Sequence, residues 1–185
     1  GRPRRPDRAV DPLPGRRQQL ARQVDRARNW LRTAKATDTD SLAYQLLGLA
    51  WAGEPAAQLQ PLARALMARQ RPDGGWEQLP RLPSDAYATG QAVYALRVAA
   101  GLKASEPAID HGLRFLLTTQ LADGTWHVRR RAFPFQPTMD SGFPHGRDGW
   151  ISAAATSWAV MALSLPEDLD SMTEAQDLSP DRHGG

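Results

Sequence analysis

The side chains best suited to chemistry lie in one long segment, residues 127–150, which is rich in arginine, aromatic residues, proline and glycine. Arginine guanidinium groups bind planar anions through paired hydrogen bonds. The segment could therefore hold a diphosphate, a haem propionate or the carboxylates of a partner protein. We predict that a ligand or a partner binds here through Arg129, Arg130, Arg131, Phe133, Phe135, His145, Arg147, Asp148 and Trp150.

Acid–base or metal chemistry in this segment would depend on His145, which has Asp140 and Asp148 close by in the sequence. A histidine between two carboxylates can act as an acid, a base or a metal ligand. Without a second histidine at a ligand spacing the metal signal is weak, and the chain has no cysteine. We therefore expect no metal site and no cofactor.

Structural explanations fit the same segment. The arginine run could be a solvated surface, and Phe133, Phe135 and Phe143 could cover the ends of neighbouring helices. The choice between ligand or partner contact and a purely structural role stays open at this point.

The elements that must position this segment are marked by a heptapeptide pattern that occurs twice, at residues 70–76 and 120–126. Each copy reads Gln-x-x-Asp-Gly-x-Trp. The Asp-Gly pair suits a turn that ends a helix, the tryptophan can pack back on that helix, and the glutamine amide can bind helix-end carbonyl groups. We predict structural roles for Gln70, Asp73, Gly74, Trp76, Gln120, Asp123, Gly124 and Trp126.

Two kinds of helical pattern alternate along the chain. One kind has a single apolar stripe with polar residues opposite, which is typical of a half-exposed helix, and the other is apolar nearly all round, which is typical of a helix buried on every side. The alternation predicts two layers, with the apolar helices inside. The pairs form about three hairpins: 20–35 with 41–52, 59–70 with 88–100, and 109–120 with 151–165.

Charge divides the chain into three parts, although the net charge is only +3. We predict an extended basic arm at residues 1–15, a helical repeat domain at residues 16–165 with an insertion at 127–150, and an acidic flexible tail at residues 166–185. The basic arm is broken by proline and lacks interleaved aromatic residues, so we expect no nucleic acid partner. No apolar run reaches the roughly 20 residues of a transmembrane helix. A cytoplasmic or a periplasmic location fits equally.

The repeated motif, followed each time by a helix of small residues at 88–96 and 155–163, resembles the repeat of the squalene–hopene cyclase and prenyltransferase family. The resemblance covers about residues 20–165, with two clear repeats and a degenerate first one. It implies an all-α fold of the α/α-toroid type. Three hairpins would form an open partial toroid with two apolar flanks.

The resemblance also implies a possible activity. Class II cyclases of this family protonate an alkene or an epoxide with a carboxylic acid from an Asp-x-Asp-Asp motif that opens an inner helix. Here Asp38 and Asp40 match that motif, but Ser41 stands where the last carboxylate would be. Both aspartates are candidate catalytic residues, with capping of the following helix as the alternative. The zinc site of the related prenyltransferases and the thioester of complement-like proteins each need a cysteine, which this chain lacks.

Two functions follow. The first is a non-catalytic repeat module, a structural or interaction subunit or domain of a larger assembly whose partners are other protein subunits or the rest of a longer chain. The second is a fragment or subunit of a class II isoprenoid cyclase with an aspartate acid and a hydrophobic isoprenoid-like ligand. In the second, cationic intermediates would meet the aromatic rings of Tyr44, Trp51, Tyr87, Tyr94 and Trp158.

Overall fold

The computed structural model describes residues 14–131 and 142–167. These residues form six α-helices and no β-strand, so the predicted all-α class is confirmed. A short 3₁₀ helix, Gly146–Asp148, precedes the last α-helix. Phe133, Phe135 and Asp140, most of the basic arm and most of the acidic tail lie outside the described residues. The helices are α1 (Pro14–Thr33), α2 (Thr39–Trp51), α3 (Ala56–Met67), α4 (Ala86–Val98), α5 (Pro107–Thr119) and α6 (Gly149–Leu163).

The helices pack in two layers, as the alternating patterns predict. Helix α4 is central and packs against α2 on one side and α6 on the other, which gives an inner row of three helices. Helix α1 packs on α2, α3 packs on α2 and α4, and α5 packs on α4 and α6, which gives the outer row. Three α/α hairpins therefore stand side by side, consistent with a domain of the α/α-toroid type.

Local signals set where the helices begin. Asp38 accepts a hydrogen bond from the backbone N–H of Ser41 (2.8 Å) and caps α2, and Asp85 caps α4 through the backbone N–H of Ala88 (2.9 Å). Each cap contributes about 1 kcal/mol to helix stability. Helix α1 begins at Pro14, earlier than the apolar stripe from Leu20 predicts. Proline suits a first helical turn because its missing N–H would have no partner there.

The inner row is closest where α4 crosses α6. A Cβ atom on Gly90 would lie 2.6 Å from the carbonyl carbon of Trp158 and 2.8 Å from the backbone nitrogen of Ala159. Small residues continue along both helices, with Ala88, Ala92 and Ala159 fully buried. Glycine and alanine thus let the two backbones approach, and the core fills between them.

Helix α6 departs from the prediction of burial on every side. Val160 is 50% exposed and Met161 is 40% exposed, whereas α4 is buried along most of its length. The apolar stripe of α1 is also open, with Leu20 at 55% and Val24 at 47%. The reason is position: among the described residues, α4 has an inner neighbour on both sides, whereas α6 stands at one end of the inner row and α1 at the opposite end of the outer row.

Within the part of the chain that the structure describes, no helix combines the length and the apolarity that a membrane crossing requires.

Candidate functional site

The first motif ties an outer helix to the inner helix that follows it. The indole N–H of Trp76 donates to the carbonyl oxygen of Leu66 in α3 (2.8 Å), and the backbone N–H of Trp76 donates to the hydroxyl of Thr89 in α4 (2.9 Å). Trp76 is fully buried. One residue therefore holds both helices of its hairpin.

The second motif makes the same contacts. The indole N–H of Trp126 donates to the carbonyl oxygen of Leu116 in α5 (2.9 Å), and its backbone N–H donates to the hydroxyl of Thr156 in α6 (3.2 Å). The two repeats can thus be compared residue by residue, with Leu116 equivalent to Leu66 and Thr156 equivalent to Thr89 in the first repeat.

The turns inside the motifs also match. Asp73 accepts from the backbone N–H of Gly75 and Asp123 from that of Thr125, each at 3.0 Å. The glycine after each aspartate has a positive φ, 84° in the first motif and 85° in the second, which glycine adopts without strain. Asp123 also accepts from the Thr125 hydroxyl (2.7 Å), and the two hydrogen bonds that Thr125 donates, first that of its backbone and then that of its hydroxyl, lower the pKa of Asp123. Both turns show the contacts that a structural role requires.

The motifs differ in what lies beyond them. Gln70 donates from its amide nitrogen to the carbonyl oxygens of Gly74 and Ala108, each at 2.8 Å, so it binds both its own turn and the next outer helix, α5. Gln120 donates to the carbonyl oxygen of Gly124 (2.9 Å), and no described residue supplies its second acceptor. The second motif therefore lies at an open side of the row.

This open side is a candidate functional surface, which we call the C-terminal flank. It combines apolar side chains that are 40–60% exposed with the second motif turn. The flank is defined by Leu117, Gln120, Leu121, Gly124, Val160 and Met161.

The arginine-rich segment is held to the inner row by one of its arginines. The guanidinium of Arg131 pairs with the carboxylate of Asp85, at the start of α4, and donates to the side-chain carbonyl of Gln78. The side chains of Arg131 and Asp85 are 19% and 9% exposed. Arg131 is thus bound within the chain, whereas Arg129 and Arg147 face solvent.

Asp148 organises the other end of that segment. Its carboxylate accepts from the backbone N–H of Arg130 (3.0 Å) and from the imidazole of His127 (2.9 Å), and these two hydrogen bonds lower the pKa of Asp148. His127 stacks on His145 with ring centroids 4.9 Å apart, and His145 in turn meets the Thr125 hydroxyl at 2.8 Å.

The rest of the predicted loop site is spread out. Trp150 is 65% exposed and makes an edge contact with Phe143 at 5.8 Å. The described residues contain no group of three or more His, Cys, Asp or Glu side chains that could hold a metal ion. Ligand or partner binding by this segment stays a prediction.

The aspartates of the cyclase-like motif lie at the start of α2 and differ in environment. Asp38 is the N-cap residue, whereas one carboxylate oxygen of Asp40, Oδ1, is buried without a hydrogen-bond partner among the described residues. Burial, together with the nearby Asp40 carboxylate, raises the pKa of Tyr87. Tyr87 also contacts Tyr44 and Gln91.

Aromatic rings continue from this point along the inner row. The Trp158 ring in α6 makes edge contacts with Tyr44 in α2 (6.2 Å) and Tyr94 in α4 (5.7 Å). Trp51, which the cyclase hypothesis also includes, is 69% exposed at the end of α2. The structure therefore brings Tyr44, Tyr94 and Trp158 together around one face.

Sequence reasoning missed three residues of these sites: His127, Asp85 and Gln91. Asp85 carried a signal, because it stands directly before a small-residue helix as Asp38 stands before α2. His127 and Gln91 carried no such signal, since their hydrogen-bond partners, Asp148 and Tyr44, lie 21 and 47 residues away in the chain.

A family model described as squalene-hopene cyclase N-terminal domain matches residues 15–120, which span α1 to α5 and the whole of the first motif. No curated protein sequence matches the chain at a significant level. Since the match covers more than half of the sequence, the chain belongs to the squalene-hopene cyclase N-terminal domain family.

Proposed function

We propose that the chain is a non-catalytic repeat module, which docks a further helical hairpin on its C-terminal flank and so forms part of a larger α/α assembly. The observation that carries this proposal is the contrast between the first motif, which has a neighbouring hairpin, and the second, which has none among the described residues. Three pairs of equivalent residues support it.

The first pair is Gln70 and Gln120. The amide of Gln70 reaches Ala108 near the start of α5, and so fixes the next outer helix in register. The amide of Gln120 makes the same bond to its own turn, and its other N–H has no acceptor among the described residues. An outer helix in the equivalent place would supply the missing carbonyl.

The second pair is Gly74 and Gly124. A Cβ on Gly74 would lie 2.7 Å from the carbonyl oxygen of His111, so glycine lets the backbone of α5 approach the turn. No described atom lies within 4 Å of the same position on Gly124. Both glycines adopt the positive φ that the turn needs, but Gly124 also leaves room for a backbone that no described residue occupies.

The third pair is Val93 and Val160. Each lies four residues after the threonine that binds the motif tryptophan. Val93 is fully buried against Gly112 of α5, whereas Val160 is 50% exposed. Burying a fully exposed side chain of this size contributes about 1.5–3 kcal/mol, so covering the exposed half of Val160 gains roughly half of that.

A photo-crosslinking experiment tests this proposal in the cell that makes the protein. A photoreactive phenylalanine analogue replaces Val160 or, separately, Leu117, and mass spectrometry identifies the attached peptide. We expect both positions to attach to the same helix, because both face the site of the missing outer helix. Position 79, whose leucine is 42% exposed in the loop between α3 and α4, is the control. Labelling at positions 117 and 160 no greater than at position 79 would contradict the proposal.

The second candidate function is that of a class II isoprenoid cyclase fragment with Asp40 as its acid. It is supported by the buried, unpartnered Oδ1 of Asp40 and by the rings of Tyr44, Tyr94 and Trp158 on the same inner row. A protonated Asp40 would transfer its proton to an alkene carbon, and the resulting carbocation would be quenched by proton loss or by water. Aromatic ring faces attract such cations.

Incubation with a linear polyene such as squalene tests this second function. Asp40→Asn should abolish product formation and leave the helical circular dichroism unchanged, while Asp38→Asn, which keeps a side-chain oxygen to cap α2, should retain both stability and turnover. Absence of any cyclised product from the unaltered protein rejects a cyclase that acts through this chain alone.

A further inference from the structure

We propose that the hairpin which docks on the C-terminal flank comes from a second copy of this chain, with α1 of one copy on the flank of the other. This inference rests on the proposed function and names its partner. The register of α1 can be compared with that of α5 through a shared contact.

The shared contact is a hydrogen bond to a leucine carbonyl near the end of each outer helix. In α1, the carbonyl oxygen of Leu31 accepts a hydrogen bond from the amide of Gln45 (2.6 Å). In α3 and α5, the carbonyl oxygens of Leu66 and Leu116 accept from the motif tryptophans instead. Leu31 therefore occupies the position in α1 that Leu116 occupies in α5.

Counting back from these leucines aligns the apolar faces of the two helices. Ile109 and Gly112, seven and four residues before Leu116, are buried, and a Cβ on Gly112 would lie 2.6 Å from Val93 and 2.9 Å from the indole ring of the preceding motif. Val24 and Ala27 hold these positions in α1 and are exposed, Val24 at 47%. Helix α1 thus presents a similar apolar face, but Ala27 carries a Cβ where α5 has Gly112, so α1 would lie slightly farther from the flank than α5 lies from the preceding hairpin.

The same register aligns the polar contacts. Gln23 lies eight residues before Leu31, as Ala108 does before Leu116, so its carbonyl would meet the spare N–H of Gln120. Arg26 corresponds to His111, which borders the first motif turn, and would lie beside the turn at Gly124.

Charge favours this occupant. The turn at Gly124 carries the exposed carboxylate of Asp123, which is anionic at neutral pH. Arg26 of a second copy would therefore approach this carboxylate. The equivalent residue at the internal interface is His111. Opposite charges at such a contact guide association and fix its register.

The resulting contact is head to tail, because the α1 face and the C-terminal flank are different surfaces of one chain. Such contacts close into a ring when the rotation between copies permits, and otherwise extend into a filament. Each copy then supplies three hairpins to one continuous double row of helices.

Two charge-introducing variants test the inference, Val24→Glu on the α1 face and Val160→Glu on the flank. Both side chains are about half exposed, so each variant should keep its helical circular dichroism. Light scattering should give the unaltered protein a mass of two or more times the 20.3 kDa chain, and each variant alone a mass of one chain. The control Leu79→Glu should assemble as the unaltered protein does.

A mixture of the two variants provides the decisive measurement. Val160→Glu keeps an intact α1 face and Val24→Glu keeps an intact flank, so an equal mixture has one sound interface and should form a dimer of twice 20.3 kDa. A monomeric unaltered protein at the highest soluble concentration, a variant that still assembles alone, or a mixture that stays monomeric would each overturn the inference.

Failure of this inference can be separated from failure of the proposed function. Crosslinks from position 160 are collected from a mixture of ¹⁴N- and ¹⁵N-labelled protein, in which contact between copies gives mixed-isotope pairs. Attachment to a helix of another protein, or within one chain, overturns the second copy and keeps the docking module. No attachment above the position 79 control rejects both.

Discussion

The indole N–H of Trp76 donates a hydrogen bond to the carbonyl oxygen of Leu66, 2.8 Å away, from a fully buried position. Trp76→Phe keeps an aromatic ring, but it removes this donor and leaves a gap. We expect a loss of about 1–3 kcal/mol in the free energy of unfolding, measured by urea denaturation. Trp30→Phe, at a ring that is 68% exposed, should change it by less than about 0.5 kcal/mol. Equal effects at both tryptophans would contradict the anchoring role.

The close crossing of α4 and α6 predicts the effect of a single methyl group. Gly90→Ala places a Cβ 2.6 Å from the backbone of Trp158, which cannot move as a side chain can. We expect a destabilisation of about 1–3 kcal/mol, in spite of the better helix propensity of alanine.

Gly48→Ala is the matched control for that variant. Its Cβ would meet the end of the flexible Leu31 side chain at 3.0 Å, so alanine should be neutral or slightly stabilising in α2. Thermal unfolding of the two variants distinguishes them, and a Gly90→Ala protein as stable as Gly48→Ala would show that the two inner helices separate easily.

The ion pair between Arg131 and Asp85 predicts local loosening when it is lost. Arg131→Gln should increase hydrogen exchange at the backbone N–H of Arg130, which is bonded to Asp148, because the segment loses its attachment to α4. Helix α4 itself should keep its protection, since Asp85 still caps it through Ala88. Arg129→Gln, at an exposed arginine, is the control. Unchanged exchange at Arg130 would mean that the ion pair does not hold the segment.

The lowered pKa of Asp148 predicts a pH dependence near the start of α6. The hydrogen bonds from Arg130 and His127 stabilise the ionised carboxylate, so its stabilising contribution is present above the ordinary carboxyl pKa of about 4. It is lost as the pH falls through the lower pKa of the folded state.

A carbon-detected NMR titration of His127→Ala checks this assignment. The variant removes one of the two hydrogen bonds, so the pKa of Asp148 should rise toward its usual value. Asp123, whose pKa is lowered mainly by Thr125, should titrate as before. An unchanged Asp148 curve would assign its low pKa to the Arg130 backbone N–H alone.

The repeat architecture could be read from the sequence because its signals are local. Periodicity of three to four residues separates half-exposed from buried helices, and the Asp-Gly turn with its tryptophan marks where an outer helix ends. The structure places both motifs and all six helices close to their predicted positions. Asp38 likewise stood at a helix start, where capping could be expected from sequence.

The tertiary structure alone decided which of these surfaces are covered. The pattern of residues 151–165 predicts a fully buried helix, yet Val160 is half exposed while its equivalent, Val93, is buried. The reason is that a described outer helix, α5, covers the Val93 face of α4, whereas none covers the Val160 face of α6. Arg131 and Asp85, 46 residues apart, pair for a similar reason. Composition and spacing report what a residue can do, whereas burial and pairing depend on which distant element the packing brings beside it.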